Sequence, residues 1–156
     1  MNESFVSPVR DREADLGSAR LSDETGSTKW QVWSDEWSVP LGKSKRQDDR
    51  LVFSISPGEW IVIGGGAPAE AADLTHVRAM FRLGGAGARE VLEAVCALDL
   101  SNQMTPNGAA ARTLVAGVAT ELVRDDVADE PSYLLLMSRS FAGAVWDRLL
   151  AVTRPE

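Results

Sequence analysis

One cysteine and one histidine in 156 residues leave little material for redox or metal chemistry. A lone Cys excludes an internal disulfide framework and a multi-cysteine zinc site. A lone His argues against a metal centre built by this chain alone. Cations are also in short supply, with 16 Lys and Arg against 23 Asp and Glu and a formal net charge of −7. DNA and anionic membrane both need a basic surplus, so neither is expected as the main partner. No apolar run approaches the roughly 18 residues of a membrane span. Met1 to Arg20 is mixed polar and charged, without the apolar core of a secretory signal, so a cytoplasmic location is expected. What remains is ordinary for a globular domain: 44% hydrophobic and 25% charged residues, in a length that suits one compact domain.

Residues 1–50 differ from the rest. They hold ten acids and eight bases, few aliphatics and many Ser, Asp and Arg residues. Such a stretch cannot by itself bury enough apolar area to offset its ordering entropy. It nevertheless carries Trp30, Trp33 and Trp37 within eight residues. Either these indoles fold back onto the domain's own core, or the segment is a charged arm that wraps a partner with the indoles as anchors. A ligand pocket beneath them is the third possibility. On the arm reading, removal of residues 1–40 weakens assembly and leaves the domain folded.

From Leu51 to Glu156 the periodicity predicts an α+β domain. Leu51–Ser56 and Glu59–Ile63 alternate as strands around the Pro57-Gly58 turn. Val77–Leu83 reads as a strand with Val77, Ala79, Phe81 and Leu83 on one face. A helix is expected over about Ala86–Ala97, a hairpin over Ala111–Val115 and Val118–Arg124, and a buried strand over Ser132–Ser138. A last amphipathic helix follows from Phe141 to about Val152, with Ser140 as its N-cap. Glu70–Asp73 reads as a helical turn or a loop. The order predicts a small, largely antiparallel sheet with helices on one face.

No set of residues reads as a catalytic constellation. His76 has no nucleophile motif to serve and reads as a surface or capping residue. Cys96, placed late in the first predicted helix, lacks the cationic neighbour or helix N-terminus of a reactive thiolate. Gly84-Gly85-Ala86-Gly87-Ala88 lies between a strand and a helix, but Glu90 stands where a dinucleotide loop needs its third Gly. Close packing of strand on helix is the simpler account. Asp125, Asp126, Asp129 and Glu130 lack the spacing of a calcium loop and read as a solvated acidic loop. Lys43, Lys45 and Arg46 form the only basic cluster, either in a solvated linker or as a dock for an acidic surface.

Several phrases resemble a known family. Leu83-Gly84-Gly85-Ala86-Gly87-Ala88-Arg89-Glu90-Val91-Leu92 is similar to the strand–glycine–helix phrase of the aminomethyltransferase (glycine-cleavage T-protein) superfamily. Pro57-Gly58-Glu59-Trp60-Ile61-Val62, Cys96-Ala97-Leu98-Asp99-Leu100, and Gly108 ahead of Arg112-Thr113 resemble the gamma subunits of heterotetrameric sarcosine oxidases. So do Arg139-Ser140-Phe141-Ala142 and Trp146-Asp147-Arg148-Leu149-Leu150. The resemblance spans about residues 51–153. It implies a fold like the first T-protein domain and a non-catalytic structural role beside alpha, beta and delta subunits that demethylate an N-methyl amine. FAD, FMN, NAD, zinc and tetrahydrofolate would then belong to those partner subunits, and no catalytic, cofactor or metal residue is carried over to this chain. Trp30, Trp33, Trp37, Arg139 and Trp146 are the expected interface residues or the packing behind it. The enzyme-class alternative is a stand-alone folate-binding aminomethyltransferase-like protein. A missing Lys-Gly-Cys-Tyr-x-Gly-Gln phrase, and a length too short for the later T-protein domains, count against it.

Overall fold

A computed structural model describes residues 7–9, 12–34 and 39–152. Its strands are β1 (Glu13–Asp15), β2 (Arg20–Asp23), β3 (Lys29–Trp33), β4 (Ser44–Gln47), β5 (Arg50–Ser56), β6 (Glu59–Ile63), β7 (Ala72–Asp73), β8 (Arg78–Gly84), β9 (Ala110–Val115), β10 (Val118–Arg124) and β11 (Ser132–Ser138). Its helices are α1 (Ala88–Glu93) and α2 (Ala142–Val152), the second entered through a 3-10 turn at Arg139–Phe141. The strands form two antiparallel sheets, ordered β1-β2-β8-β11-β10-β9 and β4-β5-β6-β3-β7.

The alternation of β8 and β11 explains the layering. Ala79, Phe81, Leu83, Tyr133, Leu135 and Met137 point to one face of the six-stranded sheet, where they pack with Val91, Leu92, Val145, Trp146 and Leu149 of the helices. Met80, Leu134 and Leu136 point to the other face and meet Leu51, Phe53, Ile61 and Ile63 of the five-stranded sheet. A strand covered on both faces has no solvent side, and Ser132–Met137 is accordingly buried throughout. The outer face of the second sheet carries a smaller cluster of Val32, Val39, Val52, Trp60 and Val62. The expected α+β class, antiparallel pairing and one-sided helices therefore hold, and the second sheet is an addition.

The main departure from expectation lies before residue 50. Residues 13–47 supply four strands to the two sheets. β2 pairs with β8 along Arg20–Asp23, and β3 sits between β6 and β7. Their apolar content is low, but the partners they complete are not. The basic cluster is likewise no linker, since Lys45 and Arg46 belong to β4, paired with β5.

Smaller departures have local causes. α1 is shorter than the periodicity predicts, and Cys96 lies beyond it, bridged to Val115 at the edge of β9. Ser140 does not cap α2. It lies within the 3-10 turn, its hydroxyl 3.0 Å from that of Ser138, and Ser138 makes no side-chain cap bond. Val77 is 62% exposed in the turn ahead of β8. Ala72 and Asp73, expected in a turn or loop, form β7 against β3. The glycines ahead of α1 make room for the incoming chain. A Cβ on Gly85, at φ +114°, would stand 2.6 Å from the Ser18 carbonyl oxygen, and one on Gly87 would stand 2.9 Å from the Ser18 Cβ. Only glycine permits this approach, so the phrase packs against Ser18 and Ala19, the close packing expected of it.

Candidate interaction surface

The five expected interface residues occupy different environments. Trp33, at the end of β3, is 60% exposed. Trp30 is half-buried on the opposite face of the strand, as an odd spacing requires. It packs against the outer-face cluster and donates its indole N–H to the Gly65 carbonyl at 3.2 Å. Trp37 lies outside the described residues. Arg139 is half-buried in the 3-10 turn, its backbone N–H donating to the Val77 carbonyl at 3.1 Å. Trp146 is only 3% exposed and stacks edge-on against Phe81, with ring centroids 5.0 Å apart. It is core, not contact surface. Indole-bearing helices bury that ring when it falls on the inner stripe, and Trp146 lies one turn before Leu149 on that stripe. Trp33 alone therefore presents its indole broadly to solvent among the four described.

Near Trp33 the rim between the sheets opens into a groove of about 280 Å³. Ile61, Leu74 and Leu136 form its apolar part. Gln31, which donates to the Glu59 carboxylate, and Arg78 flank it. Arg78 and Arg112 share the Glu121 carboxylate, Arg112 Nη2 at 3.5 Å. Arg78 is held below the ordinary guanidinium range first by burial and then by repulsion from Arg112. Val77 and half-exposed Arg112 line this groove, and exposed Trp33 stands beside it, paired with Glu59 in the β3–β6 ladder; indole and guanidinium groups are enriched at protein interfaces.

A charged seam holds the two sheets together at the other side. Asp125, at the end of β10, receives Arg46 of β4 and Arg82 of β8, the latter at 3.1 Å. Arg82 also binds Glu24 at 3.0 Å and donates to the Ser132 hydroxyl at 2.7 Å and the Asp125 carbonyl at 3.2 Å. The expected solvated acidic loop is thus partly a structural anchor. Asp125→Ala would leave Arg82, whose side chain is only 20% exposed, with Glu24 as its remaining counter-charge, and is expected to cost about 2–3 kcal/mol through the lost charged hydrogen bonds. Arg46→Ala, removing a half-exposed partner, is expected to cost under about 1 kcal/mol. Urea denaturation of both variants and the double variant checks this; equal costs for the two single changes would sink the seam.

Lys29 begins β3, where the chain has crossed from one sheet to the other. Its side chain is fully buried, and Nζ donates to the carbonyls of Thr25 at 2.6 Å and Ser27 at 2.9 Å. Burial lowers its pKa to about 8, against the opposing pull of Asp23 and Asp73. Below pH 8 both folded and unfolded chains hold this proton. Between pH 8 and about 10.5 the unfolded chain binds more protons, so stability contributed by this site rises with pH. The wild type is expected to gain about 2–3 kcal/mol relative to Lys29→Met between pH 7.5 and 10. Denaturant titrations at the two pH values read the difference; a flat difference refutes it.

The remaining chemical candidates do not converge. His76 is exposed in the turn before β8. Cys96 lies half-buried with its Sγ 3.9 Å from the Thr113 hydroxyl. Among the described residues no group of three or more His, Cys, Asp or Glu side chains could hold a metal ion. No helix among them is long and apolar enough to cross a membrane.

No protein-family profile matches the sequence, and no curated protein matches it. Solved structures do. The chain is similar, at TM-score 0.77 and 17% identity, to a chain of the heterotetrameric sarcosine oxidase from Corynebacterium sp. U-96 in complex with pyrrole 2-carboxylate; the match covers 97% of this chain and 98% of that one. It is also similar to the glycine cleavage system aminomethyltransferase T from Bartonella henselae, at TM-score 0.64 and 14% identity, over 83% of this chain. It spans 45% of that second chain. At such identities the likeness establishes the fold, which is the T-protein-like one implied by the sequence phrases.

Proposed function

We propose that this chain is a non-catalytic structural subunit of a multi-subunit flavoenzyme that oxidatively demethylates an N-methyl amine. The observation that carries the reading is the near end-to-end match, in both directions, to one chain of a heterotetrameric sarcosine oxidase. An exposed Trp33 beside the groove at the rim between the sheets supports a role in holding neighbours. Alpha-, beta- and delta-like subunits would be the partners. FAD, FMN, NAD, zinc and tetrahydrofolate would sit in them, and the assembly would work in the cytoplasm.

Co-purification from the native source tests this. Large flavin-containing polypeptides should accompany the chain, and Trp33→Ala should reduce their recovery while leaving this chain folded. Elution of the chain as a colourless, stable monomer, with no flavoprotein attached, would refute the subunit role. The likeness to an aminomethyltransferase supports a second reading, a folate-binding protein acting alone. Titration of the isolated chain with tetrahydrofolate separates the two: saturable micromolar binding favours the second reading, and none favours the first.

A further inference from the structure

We propose that the cleft between α1 and the β10–β11 connection binds a small organic dication, an aliphatic diamine or polyamine. The cleft encloses about 530 Å³. Arg89, Glu90 and Glu93 of α1 border one side, and Asp126 and Asp129 border the other, with Tyr133 beneath.

The first observation is the Tyr133 hydroxyl. Tyr133 is fully buried in the helix-side core, and among the described residues its oxygen is the buried side-chain polar atom left without a hydrogen-bond partner. A buried polar group in that condition costs about 1–3 kcal/mol until something supplies the missing bond. The charged groups acting on the phenol are Arg124, Arg89, Asp126 and Glu93. Tyr133 lines this cleft together with all four of them, which makes the phenol part of its wall.

The second observation is the charge balance of the walls. Four carboxylates face two guanidiniums. Arg124 is fully engaged, with Nε and Nη2 on Asp126 and Nη1 on Asn102 Oδ1 and the Thr105 carbonyl. Arg89 Nε donates to Glu93 at 2.8 Å. Glu90 and Asp129 have no ion-pair partner among the described residues. These acids do not surround one point, since no three of them could hold a metal ion. Negative charge spread along a cleft fits separated ammonium groups on a flexible stem better than a single inorganic ion. One ammonium donates to the Tyr133 oxygen and competes with Arg89 for Glu93; the other meets Glu90 or Asp129. The Arg89 and Glu93 side chains are 40% and 43% exposed, so opening their pair to admit the ligand costs little.

Calorimetric titration of the full chain with putrescine and with spermidine, at low ionic strength, tests the site. Saturable binding is expected, weakened about tenfold in Tyr133→Phe, which removes a hydrogen bond to a charged group. Glu90→Gln/Asp129→Asn should weaken it by tenfold or more, and Glu70→Gln, an exposed acid outside the cleft, should leave it unchanged. The melting temperature of ligand-free Tyr133→Phe should equal or exceed that of the wild type, because the orphaned oxygen is gone. The Glu90→Gln/Asp129→Asn variant changes exposed groups only and keeps the test decisive if Tyr133→Phe folds poorly. Absence of saturable binding overturns the site. So does equal weakening in all three variants, which would mean diffuse attraction to an acidic surface.

Discussion

Deleting residues 1–40 is expected to leave a chain that does not fold. The deleted segment contains β1, β2 and β3, so the six-stranded sheet loses two strands from one end and the five-stranded sheet loses β3 from between β6 and β7. Among the described residues it takes away Ala19 and four larger buried aliphatic side chains, Val9, Leu21, Val32 and Val39. At about 1.5–3 kcal/mol each, the four larger side chains amount to about 6–12 kcal/mol, comparable with the whole stability of a typical domain. The loss also opens the β8 edge, where Leu21 lies opposite Leu83, and leaves Trp60 and Val62 without β3. Thr25 disappears as well; its hydroxyl accepts the Met80 N–H at 3.0 Å. Circular dichroism and urea titration of the truncated chain read the outcome. A cooperative unfolding transition with native-like signal would show the segment to be a detachable arm.

Trp146→Ala is expected to destabilise the protein by about 3–5 kcal/mol. The indole is buried among Phe81, Val145 and Leu149 in the helix-side core, and the edge-on contact with Phe81 adds to its area term. In a chain of this size that loss lowers the melting midpoint by roughly 10 °C. Phe81→Leu should cost less, because the smaller ring is replaced by a side chain that fills most of its volume. Thermal denaturation of the two variants provides the comparison. Trp33→Ala serves as the contrast: the same residue type, exposed, should change stability within about 0.5 kcal/mol. A Trp146→Ala protein as stable as the wild type, defective only in partner binding, would return Trp146 to the interface.

These contrasts mark what the sequence could show. The β5–β6 and β9–β10 hairpins, β11 and α2 were legible because each declares itself through neighbours in sequence: alternation around Pro57-Gly58 and Ala116-Gly117, an unbroken Tyr133–Met137 run, and helical spacing of Val145, Trp146 and Leu149. The strands before residue 50 were not, because β1 has three residues and β2 four, with charged residues in each. The interface residues were drawn from tryptophan as a type, and type alone could not separate exposed Trp33 from buried Trp146. The Tyr133 cleft gave no sequence signal at all; its walls come from α1, the residues around Asn102 and the β10–β11 connection.

Composition alone determined that this chain carries a net negative charge and one Cys and one His, and local pattern determined its C-terminal α+β elements. Tertiary structure decided where the charges go: Arg46, Arg82 and Asp125 meet across two sheets although they lie far apart in the chain. It also decided that Lys29 is buried and that a charge-rich N-terminal stretch is sheet. The physical reason is that a short polar strand has no preference strong enough to announce itself. Its place is set by backbone hydrogen bonds and counter-charges that only distant partners supply.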